Sequence, residues 1–219
     1  MNILVVSATK AEIEPLLIHF NLLNQSPFCN ESSTLGILET GVGMVATAYS
    51  LGKAVANETP DLVINAGISG AIDRTINLGE VVHVFADDFF AFGAEDGESF
   101  IPATLLGFRE IRKTPVTSRF AVPELRNVTG ITVQTVHGSE AGIEKLKRLA
   151  PDAQVETMEG AAAQYACTEA GIPFIQIRAI SNYVERRNRE AWQIQEAVAA
   201  LNSVLITYIS GLIKLPSSN

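Results

Sequence analysis

The sequence predicts an α/β fold, with one domain over residues 1–219 built as three α/β/α layers around a mostly parallel, mixed central sheet. The main observation is that short apolar runs typical of strands alternate along the chain with longer segments of helical periodicity. This order favours parallel strands joined by helical crossovers, which cover both faces of a sheet. The 219 residues contain no repeat and no linker rich in Pro, Gly and Ser, so one substantial domain accounts for the length.

The N-terminal half supplies the first strands and two helices. Residues 3–6 form an apolar run, and the helix predicted over residues 10–20 carries its apolar side chains at helical spacing. The following strands are predicted over residues 35–40, 61–65 and 80–86, and a second helix opens at the glycines of residues 41–43 and runs to residue 56. The glycine-rich residues 66–71 are predicted to end the strand before them.

The C-terminal half continues the alternation of strands and helices. Ser139 is a plausible N-cap, because a charged helical segment follows it directly. The remaining strands are predicted over residues 130–134, around residue 155 and over residues 173–181, the last of them buried. The remaining helices are predicted over residues 159–171 and, closing the chain, over residues 189–213.

Residues 88–123 are the one irregular stretch, and they are rich in phenylalanine. The aromatic residues are Phe89, Phe90, Phe92, Phe100 and Phe108. Long loops in compact domains are usually functional, so a binding loop or an interface is one interpretation. A loop that buries its own phenylalanines on the core is the other, and the pattern alone does not separate them.

The amino-acid composition limits the classes of partner that the protein can bind. The net charge of −8 and the pI near 4.9 argue against nucleic acid, because phosphate binding needs clustered Lys and Arg. The two cysteines, Cys29 and Cys167, are expected to be reduced thiols rather than a disulfide framework or a zinc site. We expect no signal peptide and no membrane partner, because the apolar residues 198–215 are broken by polar ones and predict a packed helix. The predicted location is cytoplasmic.

Three polar residues stand where predicted strands end, the edge at which open α/β sheets bind ligands: Glu12, Glu159 and Asn182. Each one alone has an ordinary structural explanation at a helix start or a turn. The glycines of residues 41–43 lack the third glycine of a dinucleotide fingerprint, and no Gly-Lys-Ser/Thr phosphate loop occurs. The sequence therefore predicts no cofactor and no metal.

Order and spacing together make these residues specific. The chain resembles the methylthioadenosine/S-adenosylhomocysteine nucleosidase branch of the nucleoside phosphorylase superfamily in Ser7-Ala8-Thr9-Lys10-Ala11-Glu12, Thr40-Gly41-Val42-Gly43, Asn65-Ala66-Gly67-Ile68-Ser69-Gly70, Leu78-Gly79-Glu80-Val81-Val82, Val155-Glu156-Thr157-Met158-Glu159 and Arg178-Ala179-Ile180-Ser181. The resemblance implies a nucleoside phosphorylase-like fold. It also implies a cofactor-free enzyme that hydrolyses the N-glycosidic bond of a small-molecule purine nucleoside.

The resemblance also implies roles for individual residues. Glu12 matches the acid that activates the attacking water, and Arg178 matches an arginine close to that water. The remaining matched positions are substrate-binding: Met158 and Glu159 for the ribose, Thr135 and Val136 for the purine, and Ser69 and Gly70 in the glycine-rich segment. The branch's serine in that segment aligns with Ile68, one place before Ser69. Chemistry agrees, because cleavage builds positive charge on the ribose and negative charge on the base.

One departure from the branch bears on the base. Where aminopurine nucleosidases have an aspartate that protonates the ring, this sequence has Asn182. An asparagine cannot supply a proton, but its amide can donate to a 6-oxo group and accept from N7–H. Asn182 therefore predicts a 6-oxopurine such as hypoxanthine. Together with Thr135-Val136-His137-Gly138 the pattern is similar to the futalosine hydrolases, which release hypoxanthine from an intermediate of menaquinone synthesis.

A second departure concerns phosphate. Phosphorylases of this superfamily hold phosphate with arginines, whereas this chain has Lys10 and Glu12 in the first loop and Asn65 before the second. A carboxylate repels phosphate and can orient water, so hydrolysis is favoured. The alternatives are a methylthioadenosine/S-adenosylhomocysteine nucleosidase, a purine nucleoside phosphorylase and a non-enzymatic nucleoside-binding signalling domain.

The resemblance further implies a homo-oligomer, a homodimer first of all, because a neighbouring subunit completes the pocket around the 5′ substituent in that branch. The predicted contributors to this distal pocket are Phe89, Phe90 and Phe92. A benzoate-like 5′ group needs a basic partner, for which the candidates are Arg186, Arg187 and Arg189. A solvated basic turn explains any one of these arginines equally well.

Overall fold

A computed structural model describes residues 1–23, 28–29, 33–107, 120 and 124–214. The ten strands of this part are β1 Asn2–Ser7, β2 Phe28–Cys29, β3 Thr34–Glu39, β4 Leu62–Ala71, β5 Val81–Phe89, β6 Gly93–Asp96, β7 Ser99–Pro102, β8 Arg126–Thr132, β9 Val155–Thr157 and β10 Phe174–Tyr183. Its helices are α1 Lys10–His19, α2 Met44–Asn57, α3 Glu140–Leu149, α4 Gly160–Ala170 and α5 Ile194–Lys214, with a short 3₁₀ turn Arg189–Ala191 before the last. Phe108, one of the phenylalanines of the irregular stretch, lies outside the described residues.

Eight strands form the main sheet, in the order β10-β5-β8-β9-β4-β1-β3-β2, and β6 and β7 make a separate hairpin. Five pairings in the main sheet are parallel and three are antiparallel, which confirms the mostly parallel, mixed sheet. Strand β10 also pairs with β4, so β10, β5, β8, β9 and β4 close into a ring. The remaining strands extend from this ring as an open sheet.

Helices cover both sides of the sheet. On one side α1 and α5 pack together over β4 and β10, and their buried residues form the largest core cluster. On the other side α2 and α4 pack together over a second cluster that includes Val6, Leu51 and Phe174. Helix α3 begins at the predicted cap, where the Ser139 hydroxyl accepts a hydrogen bond from Gly142 N. The expected three-layer α/β/α architecture is confirmed.

Helix α5 is strongly apolar. By length and composition alone, one segment of the described chain, Arg189–Ile213, could cross a membrane, with a mean hydropathy of 1.5. Its apolar stripe lies inside the protein, however, because Ala197, Leu201, Leu205 and Ile209 are fully buried in the core shared with α1. Asn202 is also buried; its Oδ1 accepts from Leu16 N and its Nδ2 donates to the Glu12 carbonyl. The prediction of a packed helix is confirmed, and α5 fixes the position of α1.

Two strands run further than the sequence predicts. Strand β4 continues through the glycine-rich segment to Ala71, because neighbours pair with it on both sides in the closed ring. Strand β10 continues to Tyr183, so Asn182 lies within a strand and not in a turn after it. A register shift between Ile180 and Asn182 marks a bulge in β10 at this point. Pairing in the ring therefore outweighs the local tendency of glycine and asparagine to end strands.

The predicted irregular stretch contains regular structure. Strand β5 extends to Phe89, and β6 and β7 form a hairpin over residues 93–102. The long closing helix also begins later than predicted, because residues 189–191 form a 3₁₀ turn and α5 starts at Ile194. As expected, Cys167 is a free and buried thiol, and the side chain of Cys29 lies outside the described part.

Candidate functional site

The first group of site residues meets where β1 and β4 approach the start of α1. Glu12 lies in the first turn of α1, where its Oε2 is 3.1 Å from both Thr9 N and Thr9 Oγ1 and 3.2 Å from Ser7 Oγ. Its Oε1 accepts a hydrogen bond from Ile68 N at 3.1 Å. The Ser7 hydroxyl is also 3.1 Å from the Thr9 carbonyl, and its single proton can serve only one of the two acceptors. Glu12 is therefore oriented by its neighbours and keeps one acceptor position for water.

Arg178 reaches the same place from β10. It is fully buried, and its Nη2 donates to Asn65 Oδ1 on β4 at 2.5 Å. Asn65 is itself held by the Val6 carbonyl of β1 at 3.2 Å. A Cβ atom at Gly67 would lie 2.2 Å from Arg178 Nη1 and 2.8 Å from Glu12 Oε1. The guanidinium and the carboxylate thus occupy the space directly above Gly67.

Glu159 is the third charged member. It caps the start of α4, and its Oε1 accepts from Gly43 N at the start of α2 at 3.0 Å. Its Oε2 is 4.0 Å from Arg178 Nη1. The N-termini of two helices therefore converge on this side chain, a position that acidic residues commonly occupy. Glu12, Arg178 and Glu159, predicted from three distant parts of the chain, are brought together by the fold.

Several donors at this centre make no hydrogen bond. In the described part of the chain, Arg178 Nε, Arg178 Nη1 and the Ser69 hydroxyl are buried without a hydrogen-bond partner. Buried polar groups are normally satisfied, so donors left open beside two carboxylates fit a polar ligand. Ile68 and Ser69 have separate parts: Ile68 gives its backbone N–H to Glu12, whereas Ser69 presents a free hydroxyl. Met158, next to Glu159, packs at the edge of a neighbouring apolar cluster.

A cavity of about 60 Å³ lies beside Asn182. It is lined by Gly70, Val136, His137, Glu156, Asn182, Tyr183, Glu185, Arg187, Asn188 and Trp192. Asn182 Oδ1 accepts from Ser181 Oγ at 2.8 Å and its Nδ2 donates to the Tyr183 carbonyl at 3.0 Å. An amide nitrogen carries two hydrogens, so one N–H of Asn182 is unused. Thr135 is exposed and does not line this cavity, whereas Val136 does.

Sequence reasoning did not assign His137, Glu156 or Trp192 to the site. Glu156 Oε1 accepts from His137 N at 3.0 Å, and its Oε2 is hydrogen-bonded to His137 Nδ1. Burial raises the pKa of the Glu156 carboxyl, and the His137 contacts oppose that rise. His137 and Glu156 both lie inside segments that carry the resemblance. The presence of two ionisable residues in those segments, 19 positions apart, is the sequence signal that could have assigned them to the site. Trp192 is the only tryptophan in the sequence.

Asp87 forms a buried network behind Glu12, Arg178 and Glu159, which together are called the charged centre. Its carboxylate accepts from Thr132 Oγ1 and Gln176 Nε2, each at 3.0 Å, and Thr132 Oγ1 in turn accepts from Ala161 N. A Cβ at Gly160 would lie 2.1 Å from Asp87 Oδ2, so the start of α4 rests directly on this carboxylate. Burial raises the pKa of Asp87 to about 6. The network supports the helix start that presents Glu159.

The phenylalanines predicted for a distal pocket lie around a larger cavity of about 340 Å³. Phe89 and Phe90 line it together with Phe92 and Phe100. Phe90 also packs edge-on against His137, with ring centroids 4.9 Å apart, so this cavity adjoins the one at Asn182. Neither Phe89 nor Phe90 lines the cavity that holds Asn182.

Two of the three candidate basic residues lie over the Trp192 ring. The guanidinium carbons of Arg187 and Arg189 are 5.3 Å and 5.9 Å from the centre of the Trp192 ring. Arg187 lines the cavity at Asn182, whereas Arg186 and Arg189 do not. Cation–π contact holds these side chains against an aromatic surface at the cavity wall.

The charged centre suits displacement at a sugar carbon. It holds two carboxylates and one arginine, and among the described residues no group of His, Cys, Asp and Glu side chains could hold a metal ion. The Lys10 side chain is exposed, so of the two charged side chains in the first loop it is the Glu12 carboxylate, and not a cation, that reaches the site. A carboxylate that holds water and donors that receive a sugar fit hydrolysis.

Comparison with known proteins agrees with this geometry. The phosphorylase superfamily matches residues 3–210. A futalosine hydrolase of Streptomyces coelicolor is 35% identical over 178 residues, which cover 77% of this chain and 76% of the relative. A futalosine hydrolase of Acidothermus cellulolyticus is 34% identical over 179 residues, covering 78% and 73%.

Solved structures share the fold at lower identity. A futalosine hydrolase of Helicobacter pylori has a TM-score of 0.78 at 14% identity, covering 96% of this chain and 98% of that one. An S-adenosylhomocysteine nucleosidase of Streptococcus pyogenes has a TM-score of 0.77 at 21% identity, covering 97% of each chain. The chain therefore belongs to the phosphorylase superfamily and, within it, to the family of the futalosine hydrolases.

Proposed function

We propose that this protein hydrolyses the N-glycosidic bond of futalosine and releases hypoxanthine. The single observation that carries the proposal is the convergence of Glu12, Arg178 and Glu159 over Gly67, on the same strand as Gly70, which lines the cavity at the Asn182 amide. Membership of a family whose relatives are named futalosine hydrolases supports the same substrate.

The charged centre acts on water and on the ribose. Glu12 orients a water molecule and takes its proton as the oxygen attacks the anomeric carbon. Glu159 accepts hydrogen bonds from the ribose hydroxyls, which positions the sugar and favours its developing positive charge. Arg178 balances the two carboxylates, and its open Nε and Nη1 atoms face the same space. The electron pair of the broken bond leaves with the base.

Asn182 acts on the departing base. Its unused N–H donates to the 6-oxo group, where negative charge collects as the bond breaks. The departing base takes up a proton from solvent at N7, and the amide oxygen can accept from that N7–H. A 6-amino group would set two donors against each other, so the nucleosidases of adenine nucleosides are the less favoured assignment.

The test is to follow release of free base from futalosine, inosine and methylthioadenosine, with and without phosphate. We expect futalosine to be the best substrate and phosphate to leave its rate unchanged. Glu12→Gln should fold and bind nucleoside but lose most turnover, because an amide is not a base. Glu14→Gln, an exposed change two residues along α1, is the matched control and should keep wild-type activity. A rate that requires phosphate, or a Glu12→Gln variant within about threefold of wild type, contradicts the mechanism.

We also propose that the chain forms a homodimer through α2 and α4. Val42, Val45 and Tyr49 are 57%, 75% and 71% exposed on one face at the start of α2, and Tyr165 of the adjoining α4 is 39% exposed. Monomeric proteins seldom leave such an apolar patch in water. The patch surrounds Gly43, whose N–H binds Glu159, so a second copy placed there would border the ribose. The cytoplasmic location stays a prediction.

A further inference from the structure

Gly70 lies between two polar side chains that project from neighbouring strands. Strand β10 places Asn182 opposite Gly70, and strand β9 places Glu156 opposite the same glycine. Register partners on adjacent strands point to the same face, and the strands are about 5 Å apart, so the Cα atoms of Asn182 and Glu156 are about 10 Å apart. Because the residue between them has no side chain, a gap remains that both side chains border.

The two sides of this gap have opposite hydrogen-bonding character. On one side, Asn182 Nδ2 would be 3.2 Å from a Cβ at Gly70, so the amide nitrogen faces the gap with a spare hydrogen. On the other side, the Glu156 carboxylate can accept about four hydrogen bonds, and His137 supplies two of them. The gap therefore offers a donor on one side and open acceptor positions on the other.

We propose that Glu156 is a specificity-determining residue, which accepts the N1–H of a 6-oxopurine while Asn182 donates to its O6. This inference rests on the proposed function and adds the group that reads the second edge of the base. In hypoxanthine, O6 and N1–H are adjacent and form an acceptor–donor pair that matches the gap. In adenine, both signs are reversed, because a 6-amino group meets the amide N–H and the N1 lone pair meets the carboxylate.

His137 holds the Glu156 carboxylate in position for the contact with N1–H. Its backbone N–H and its ring both bind Glu156, and the ring also packs edge-on with Phe90. The carboxylate is thereby fixed in direction before a base arrives, which lowers the ordering cost of binding. His137 acts through Glu156 and is a positioning residue.

A first experiment needs no variant. Hypoxanthine, 1-methylhypoxanthine and adenine are compared as inhibitors of futalosine hydrolysis and as ligands in calorimetry. The methylated base keeps O6 and N7 but lacks N1–H, so it isolates the proposed contact. We expect it and adenine to bind at least about 10-fold more weakly than hypoxanthine, because a buried acceptor loses its donor. Equal affinity for hypoxanthine and its 1-methyl derivative overturns the proposal.

Two variants separate direct recognition from support of the loop. Glu156→Gln places an amide at the base, which can donate to adenine N1, and should lower the preference for hypoxanthine over adenine at least about 10-fold. His137→Phe keeps the ring packing and the carboxylate but removes one hydrogen bond, so it should lower the preference for hypoxanthine by a clearly smaller factor than Glu156→Gln does. If His137→Phe changes the preference as much as Glu156→Gln does, Glu156 only supports the loop and the proposal is wrong.

The outcomes also distinguish this inference from the proposed function. A wild type that hydrolyses no futalosine and binds adenine better than hypoxanthine contradicts the proposed function and this inference together. A wild type that prefers hypoxanthine, with the same preference in Glu156→Gln, contradicts only the role of Glu156.

Discussion

Gly67→Ala is the smallest substitution that should disable the site. The added Cβ would lie 2.2 Å from Arg178 Nη1 and 2.8 Å from Glu12 Oε1, whereas ordinary contacts begin near 3.4 Å. Arg178 must therefore retreat by at least about 1 Å, and its full burial and its bond to Asn65 leave little room for that. The backbone has little freedom to yield instead, because Gly67 is paired with Arg178 itself on β10 and Ile68 N is bonded to Glu12.

The magnitude follows from these distances. Overpacking in a closed interior costs about 1–3 kcal/mol of the free energy of unfolding. A displacement of about 1 Å in a catalytic group lowers the rate by about 100-fold. We expect kcat/KM for futalosine to fall by about that factor while the variant still folds.

The assay pairs steady-state kinetics with urea unfolding. Gly211→Ala is the matched control: Gly211 lies in α5, with nothing within 4 Å of an added Cβ, so the same change there should raise stability by about 0.5–1 kcal/mol and leave kcat/KM unchanged. A Gly67→Ala variant with normal kcat/KM per folded molecule would refute the placement of the reaction between Glu12 and Arg178.

Three further predictions concern the base, the buried acid and the interface. Asn182→Asp should shift the ratio of kcat/KM values from the hypoxanthine toward the adenine nucleoside with the same 5′ group by about one to two decades, and equal losses on both would leave Asn182 unselective. The pKa of Asp87 is about 6 in the folded state, above its ordinary value of 3.8, so the folded state binds the proton of this carboxyl more tightly than the unfolded state does. The stability that the bound proton contributes is therefore lost as pH rises through 6. In urea unfolding, Asp87→Asn should therefore remove a fall of about 2 kcal/mol between about pH 4.5 and about pH 7.5; a variant with the wild-type pH dependence would contradict this. Tyr49→Arg should yield monomers in sedimentation and lower kcat/KM, whereas Ile18→Arg, on α1 and 60% exposed, should do neither; an unchanged dimer after Tyr49→Arg argues against the α2 interface.

The sequence predicts the layers and most elements well, because periodicity reports burial directly. Strands β1, β3 and β5 begin within one residue of their predicted starts, and helix α1 differs from its prediction by one residue at its end. The two misses at the site share one cause. Residues 66–71 and Asn182 have turn-forming composition, yet they pair with each other across β4 and β10, and β9 adds a partner for Gly70 and Ala71, which a local pattern cannot contain.

The candidate site divides in the same way. Glu12, Arg178 and Glu159 could be found because they belong to recognisable segments, and their meeting follows from the parallel order of β1, β4 and β10. Glu156 and His137 belong to such segments too, but their pairing depends on how the loop after β8 returns over β9. Asp87 stands in an apolar strand, where nothing local shows that Gln176 and Thr132 will surround it.

The contact between Gly43 N and Glu159 Oε1 joins residues 116 positions apart, and the one between Arg178 and Asn65 spans 113. Contacts of such sequence separation form late, because the intervening chain must first lose its freedom. No local segment can bring two of the three charged residues together before the distant strands pair. Regain of activity during refolding should therefore coincide with the final step and lag behind the recovery of helix signal. For this protein, turnover is a measure of complete folding.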